Sequence, residues 1–159
     1  MTANPSTALE VEEPFWRRKA LSEMTRVEWE SLCDGCAKCC LEKLEDIDTG
    51  KVVYTNVACR LLDIGSCLCT DYACRKHLVA DCEQLTAKNI PTLKWLPDTC
   101  AYFLLANGKD LPWWHPLVSG DPETVHRAGM SVRGRAVPGN AAGDLENHVV
   151  NWPDQGGQP

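Results

Sequence analysis

The chain has 159 residues, of which 44% are hydrophobic and 24% charged, a composition typical of a single globular domain. Its net charge of −6 argues against binding to nucleic acid or to an anionic membrane through bulk positive charge. No apolar run approaches the roughly 18 residues of a membrane-spanning helix, and residues 1–13 lack the pattern of a signal peptide. We therefore expect a cytoplasmic protein with no membrane or nucleic-acid partner.

The N-terminal half contains signals for two helices and one hairpin. Apolar residues recur at helical spacing over residues 15–24 and predict a first helix. A hydroxyl at Thr25 and a carboxylate at Glu28 form a capping box, which predicts a second helix leading into the first cysteines. A turn signal at residues 48–51 precedes a β-favouring run, so we expect a small hairpin over residues 41–58.

The C-terminal half predicts further short elements. We expect a helical stretch near residues 74–85 and a helix that Pro97 opens and Gly108 closes. Another helix is expected over residues 121–129, followed by a strand over residues 130–137. The fold class predicted from these elements is α+β, with short helices and a β-hairpin.

Ten cysteines are the most informative feature of the sequence. In a reducing compartment stable disulfides are rare, so cysteines are more often metal ligands or redox groups. The segment from Cys33 to Cys40 has the spacing C-x2-C-x2-C-C, with Gly35 permitting a tight turn. Four thiols within eight residues predict a multidentate metal site.

A second group of cysteines follows the predicted hairpin, which would return Cys59 beside Cys40. Cys67 and Cys69 are two residues apart, so in an extended segment their side chains would share a face. Cys82 follows a short helical stretch, and Cys100 is either a buried thiol or a ligand beside the helix after Pro97. The candidate metal ligands are therefore Cys33, Cys36, Cys39, Cys40, Cys59, Cys67, Cys69, Cys82 and Cys100.

All-sulfur ligation suits zinc or iron, including an iron–sulfur cluster, and disfavours magnesium, calcium and manganese. The spacing does not separate zinc from iron–sulfur, because remote cysteines complete both kinds of site. The cysteines could form one centre or two adjacent sites. We expect an irregular cysteine-rich domain around this centre over residues 14–137, after a disordered lead-in (1–13) and before a C-terminal tail (138–159).

Short sequence motifs surround the cysteines in order from residue 14 to about residue 153. They are Glu28-Trp29-Glu30-Ser31-Leu32-Cys33-Asp34-Gly35-Cys36, Cys39-Cys40-Leu41, Thr55-Asn56-Val57-Ala58-Cys59-Arg60, Cys67-x-Cys69, Asp81-Cys82, Trp95-Leu96-Pro97, Thr99-Cys100-Ala101-Tyr102 and Trp114-His115-Pro116-Leu117. This set resembles the bacterial YcgN/YkgJ-type cysteine-cluster family, in particular its short single-domain YcgN-like members. The resemblance implies chelation of zinc or iron without an established reaction. The family pattern has no cysteine at Cys74, which we therefore leave out of the ligand set.

Two other side chains invite a functional interpretation. Arg75 would either bind a sulfur or anionic ligand or, as we favour, offset thiolate charge. His115 follows two tryptophans, and we favour a core corner in which a backbone carbonyl satisfies its ring. No cysteine is singled out as a nucleophile, so enzymatic activity is left undecided. We expect a metal-binding module; the alternative is a small redox or electron-transfer protein, or an enzyme, that uses an iron–sulfur centre.

Overall fold

Short helices alternate with two small sheets in the computed structural model, which describes residues 12–79 and 82–152. The helices are α1 (Phe15–Arg18), α2 (Arg26–Ser31), α3 (Arg75–Leu78), α4 (Ala101–Ala106), α5 (Pro116–Ser119) and α6 (Thr124–Arg127). Single 3-10 turns cover Leu21–Glu23, Lys38–Cys40, Ile90–Thr92, Gly139–Ala141 and Leu145–His148. The strands are β1 (Leu41–Glu45), β2 (Val52–Ala58), β3 (Leu62–Asp63), β4 (Leu68–Cys69) and β5 (Val137–Pro138). The α+β class is confirmed.

The predicted segment boundaries at residues 13 and 137 stay predictions. Residues 1–11 of the expected lead-in and 153–159 of the expected tail lie outside the described residues. In the part of the chain that is described, no helix has both the length and the apolar character needed to cross a membrane.

The capping box that begins α2 is confirmed. The Glu28 backbone N–H donates to the Thr25 hydroxyl over 3.2 Å, and the Thr25 N–H donates to the Glu28 carboxylate over 2.9 Å. The single helix expected over residues 15–24 is wrong, because the chain is extended at Ala20. There the Ala20 N–H donates to the Glu23 carboxylate over 2.8 Å, which starts a separate 3-10 turn.

The predicted hairpin is also confirmed, as an antiparallel pair of β1 and β2 with a bulge between Leu41 and Lys43. Its turn is closed by the Asp46 carboxylate, which accepts the backbone N–H groups of Asp48 and Thr49. On the other side of β2, β5 pairs in parallel, and the Val150 N–H donates to the carbonyl of Tyr54 over 2.9 Å. Residues 137–152 therefore lie against β2.

Three further expected elements differ from the structure. The strand expected over residues 130–137 is present only at Val137, the first residue of β5; turns replace the rest of it, with the Arg135 N–H donating to the Val132 carbonyl and Gly134 at a φ of 77°. Helix α4 begins at Ala101, because Pro97 instead opens the turn closed by the Cys100 N–H over 3.0 Å. The helical stretch expected near residues 74–85 is limited to the single turn of α3.

The first cysteine segment is anchored in three separate clusters of buried side chains. Leu32 packs with Ile90 and other residues of the first cluster. Ala37 belongs to the second cluster, and Cys36 packs with Trp114 in the third. Burying three positions within six residues fixes the backbone of this segment from several sides, so the fold presents its thiols at one defined place.

Candidate metal centre

The cysteine segment after α2 is shaped by two left-handed residues. Gly35 has a φ of 77° and Ala37 a φ of 63°, a conformation that costs a side-chain-bearing residue about 1 kcal/mol. The Asp34 carboxylate accepts the Cys36 N–H over 3.0 Å and stabilises the first turn. The 3-10 turn Lys38–Cys40 follows at once. These consecutive tight turns hold four thiols close together.

The thiols of this segment differ in their environments. Cys36 is buried, Cys40 is half-buried, and Cys33 and Cys39 reach solvent. A hydrogen bond from the Cys40 thiol lowers the pKa of Cys39 to about 7, with the Lys43 ammonium contributing, despite desolvation. The same bond raises the pKa of Cys40. Desolvation by the surrounding protein raises the pKa of Cys33 and Cys36, although part of Cys33 is exposed.

The second cysteine group returns to the first through the hairpin, as expected. The Cys59 N–H donates to the Cys40 carbonyl over 2.8 Å, directly after β2. Cys69 lies in β4, opposite Leu62 of β3. Desolvation raises the pKa of Cys82, and the negative charges of Cys59, Cys69 and Cys39 raise it further. The backbone bond thus places Cys59 next to Cys40, and the charges that act on Cys82 come from both cysteine groups.

Cys100 is held near the first segment by two long-range hydrogen bonds. The Lys38 ammonium donates to the Thr99 hydroxyl over 3.0 Å, and the Tyr102 hydroxyl donates to the Trp29 carbonyl over 2.7 Å. Burial raises the pKa of Cys100 to about 12, while nearby backbone N–H groups oppose the shift and the charge of Cys39 adds to it. Its side chain makes no capping bond at the start of α4.

Cys67 is buried in the second apolar cluster, against which Cys40 also packs. It has a φ of 59°, and its thiol contacts the carbonyl of Ile64 at 3.7 Å. Burial raises its pKa, and the opposing interactions come from Arg133 and Ser131. The expectation that Cys67 and Cys69 share a face assumed an extended backbone, and the left-handed turn at Cys67 removes that condition.

Two sequence interpretations concern side chains outside the thiol group. The His115 ring donates from Nε2 to the Leu32 carbonyl over 2.7 Å and accepts the Leu117 N–H at Nδ1 over 3.0 Å. Both ring nitrogens are therefore occupied, and the core interpretation of His115 is confirmed. Arg75 stacks on the Tyr72 ring at 3.9 Å and lowers the pKa of Cys82 against the effect of burial, as charge offset requires.

Sequence reasoning missed Lys43 as part of the site. Its ammonium donates to the Cys39 carbonyl over 3.0 Å and to the Leu41 carbonyl over 2.7 Å. It lies 5.5 Å from the centre of the Tyr54 ring and 5.0 Å from that of Trp95. Desolvation lowers the pKa of Lys43, and the charges of Cys39 and Cys40 oppose that shift. The signal available in the sequence was the position of this lysine, four residues after Cys39. In the structure it lies in β1, at the bulge between Leu41 and Lys43.

The donor chemistry of the site suits a soft metal. All ten cysteines are free thiols. Within residues 12–79 and 82–152, however, no three Cys, His, Asp or Glu side chains already stand in a metal-coordinating arrangement. The thiols are therefore of the ligand type that zinc and iron prefer. Coordination of one ion would require several of these side chains to rotate toward a common point.

This arrangement defines a small α+β domain organised around clustered thiols. Residues 32–101 match the family model CxxCxxCC, described as "Putative zinc- or iron-chelating domain". A UPF0260 protein of Granulibacter bethesdensis is 59% identical over 92% of this chain and 88% of its own length. One of Parvibaculum lavamentivorans is 61% identical over 91% of this chain and 95% of its own. The chain belongs to the UPF0260 family, and the resemblance to CxxCxxCC proteins is confirmed. The family description supports metal binding.

A further UPF0260 protein, from Rhodopseudomonas palustris strain HaA2, is 56% identical over 96% of this chain and 92% of its own length. No solved structure is significantly similar to the chain. The similarity to relatives thus extends well beyond the residues 32–101 matched by the family model.

Proposed function

We propose that this chain binds zinc or iron through eight of its thiols, organised as two neighbouring sets of four. The first set is Cys33, Cys36, Cys39 and Cys100. The second is Cys40, Cys59, Cys69 and Cys82. Four thiolates complete a tetrahedral zinc site, and four also hold one iron–sulfur cluster, so eight suffice for two centres. The match of residues 32–101 to a zinc- or iron-chelating family model, together with the backbone bond that joins Cys59 to Cys40, supports the proposal.

The first set is supported by the contacts between its two chain segments. Lys38 precedes Cys39 and Thr99 precedes Cys100 in the sequence, so the Lys38–Thr99 hydrogen bond joins the two segments that carry these thiols. The negative charge of Cys39 raises the pKa of Cys33, Cys36 and Cys100, as it also raises that of Cys82 in the second set. An ion bound here would have thiolate ligands from the turn segment and from the start of α4.

The second set is supported by backbone pairing. The Cys59 N–H binds the Cys40 carbonyl, and the Thr70 N–H binds the Leu61 carbonyl over 2.7 Å, which brings Cys69 back toward Cys59. The charge of Cys59 acts on the pKa of both Cys40 and Cys82. Cys40 and Cys39 are adjacent and share a thiol hydrogen bond, so the two sets would touch at this pair.

Metal content and colour test the proposal directly. The full chain is purified without oxygen, and zinc, iron and acid-labile sulfide are measured together with the visible spectrum. We expect either about two zinc ions per chain with no colour, or iron and sulfide with visible absorption. A chain that carries neither metal after anaerobic purification and remetallation would contradict metal binding.

Single serine variants test the division into two sets. Cys36→Ser should remove about half of the metal, and Cys82→Ser should remove the other half, because each belongs to a different set. Cys74→Ser is the matched control and should keep all of it, since Cys74 is exposed and outside both sets. If Cys36→Ser and Cys82→Ser each remove all metal, the chain has one centre and the division is wrong.

A reducing compartment suits this function, because the proposed ligands must be thiolates rather than disulfides. We propose that the protein acts in the cytoplasm. If the visible spectrum identifies an iron–sulfur cluster that is reversibly reduced, the role is electron transfer or redox catalysis; a colourless zinc form indicates a structural, carrier or sensing role. Finding disulfides among the eight thiols in freshly isolated protein would contradict the assigned compartment.

A further inference from the structure

The Lys43 ammonium is held in one place by two backbone carbonyls and two aromatic rings. It donates to the carbonyl of Cys39 over 3.0 Å and to that of Leu41 over 2.7 Å, so its two hydrogen bonds flank Cys40 in the chain. The ring centres of Tyr54 and Trp95 lie 5.5 Å and 5.0 Å from Nζ. Tyr54 is the partner of Lys43 across the hairpin, and its hydroxyl donates to the Trp95 carbonyl. These contacts fix the ammonium beside the first cysteine segment.

These neighbours stabilise the positive charge of Lys43 without neutralising it, because carbonyls and aromatic rings carry no net charge. Within the described residues no carboxylate forms an ion pair with Lys43. Desolvation of this half-buried side chain lowers its pKa, and the negative charges that oppose the shift are, in order, those of Cys39, Cys40 and Glu42. The nearby thiols, when ionised, are therefore the main counter-charge of Lys43.

A metal centre built from thiolates needs such a cation. Four thiolates carry more negative charge than one divalent ion neutralises, so a proposed set keeps a net negative charge when it is loaded. Cys39 and Cys40 are adjacent and belong to different proposed sets, so the repulsion between the sets is concentrated at this pair. A positive charge fixed next to them reduces that repulsion, and in a chain whose net charge is −6 the protein as a whole does not supply it.

We propose that Lys43 is a positioning residue of the metal centre, whose fixed ammonium offsets thiolate charge where the two proposed sets meet and thereby raises the affinity for metal. The inference rests on the proposed function and deepens it, because it assigns a role to a residue that is not a ligand. Its hydrogen bonds to the carbonyls on either side of Cys40 also hold the backbone that carries Cys39 and Cys40. Groups that orient or polarise metal ligands in this way commonly change metal affinity by about 10–100-fold when they are removed.

The zinc affinity of the full chain, measured by competition with a chelator of known affinity, tests this role. Lys43→Met removes the charge, keeps the length of the side chain, and should raise the zinc dissociation constant about tenfold or more. Lys43→Arg retains a cation that also stacks on aromatic rings, so its dissociation constant should stay within about threefold of the wild-type value. The control, Lys51→Met, removes the same charge from an exposed position of the same hairpin and should bind zinc as the wild type does.

Unfolding of the metal-free chains separates charge offset from a merely structural role. The free energy that Lys43→Met loses in zinc binding should exceed the free energy of unfolding that its metal-free form loses. If Lys43→Met folds poorly, Lys43→Gln, which is neutral but keeps an N–H donor, replaces it in the comparison. An unchanged dissociation constant in the neutral variant, equal losses of the two free energies, or equal weakening in Lys43→Arg overturns the inference. A wild-type chain that binds neither zinc nor iron overturns the proposed function as well, so wild-type metal content distinguishes the two failures.

Discussion

The Lys38 ammonium and the Thr99 hydroxyl form a buried hydrogen bond of 3.0 Å between residues 61 positions apart in the sequence. Lys38 lies within the first cysteine segment, and Thr99 immediately precedes Cys100. The bond therefore joins the two parts of the chain that would supply the first set of thiols.

Removing the hydroxyl of this pair should destabilise the protein. Thr99→Val keeps the side-chain shape but takes an acceptor from a buried ammonium, which costs about 1–3 kcal/mol. Thermal unfolding of the metal-loaded protein should therefore shift down by about 2–4 °C for each kcal/mol lost. Thr92→Val is the control, because Thr92 is an exposed threonine whose hydroxyl donates to a local carbonyl. Equal melting temperatures for both variants would show that the Lys38–Thr99 bond contributes little.

Protonation of His115 should be resisted by the fold. Burial holds the pKa of its ring below the ordinary value of 6.5. A proton on Nδ1 would also break the hydrogen bond that this atom accepts from the Leu117 N–H. Because the pKa of His115 is lower in the folded than in the unfolded chain, its full contribution to the free energy of unfolding is present above pH 6.5. It is lost as the pH falls below that value, by up to about 1.4 kcal/mol per pH unit.

NMR of the imidazole nitrogens measures this directly. The His115 ring should stay neutral, with its proton on Nε2, to a lower pH than the ordinary pKa of 6.5 would allow. The stability of wild type should also fall more steeply from pH 7.5 to 5.5 than that of His115→Gln, while the exposed-site variant His77→Gln should follow the wild type. A His115 ring that titrates at or above pH 6.5 would contradict the buried neutral state.

The sequence predicted the local elements well because their causes are local. The capping bonds of Thr25 and Glu28 join residues three apart, and the hairpin turn is closed by Asp46 within its own loop. The hairpin in turn placed Cys59 beside Cys40. Long-range contacts could not be predicted in this way: Lys43 contacts the Trp95 ring, and its role depends on how distant segments pack.

Backbone conformation explains the other differences. Side chains two residues apart share a face only in an extended chain, so the prediction for Cys67 and Cys69 required an extended backbone. Cys67 instead adopts a φ of 59°, which its residue type does not predict. The strand expected over residues 130–137 had suitable residues, but only Val137 has a pairing partner, Val57. Val132 is instead fully buried in turns and donates its N–H to the Cys36 carbonyl over 3.0 Å.

Cys67 and Cys69 should behave differently when each is replaced by alanine. Cys69→Ala should lose about half of the bound metal, because Cys69 belongs to the second set. Cys67→Ala should keep its metal and lose only packing in the apolar cluster, lowering the melting temperature modestly. Metal content per folded chain, determined after gel filtration, distinguishes the two variants. Equal metal loss from both would return Cys67 to the ligand set.

Metal removal should unfold the thiol-bearing part of the chain before the rest. Residues 59–79 contain two-residue strands and a single helical turn, and the thiols are not already arranged around a common point. Metal ligation would supply what this segment lacks, since a structural zinc site contributes on the order of 10 kcal/mol of apparent binding energy at neutral pH. Hydrogen exchange after treatment with a chelator measures the effect residue by residue.

The amides of Cys59 and Thr70 should lose protection in the metal-free chain, because their hydrogen bonds join the segments that the metal would hold together. The amide of Val53, within the long β1–β2 pairing, should keep more of its protection and serves as the internal reference. Adding back zinc or iron should restore the pattern, and it should restore it equally in Cys74→Ser. Unchanged exchange and an unchanged melting temperature after verified metal removal would show that folding does not depend on the metal.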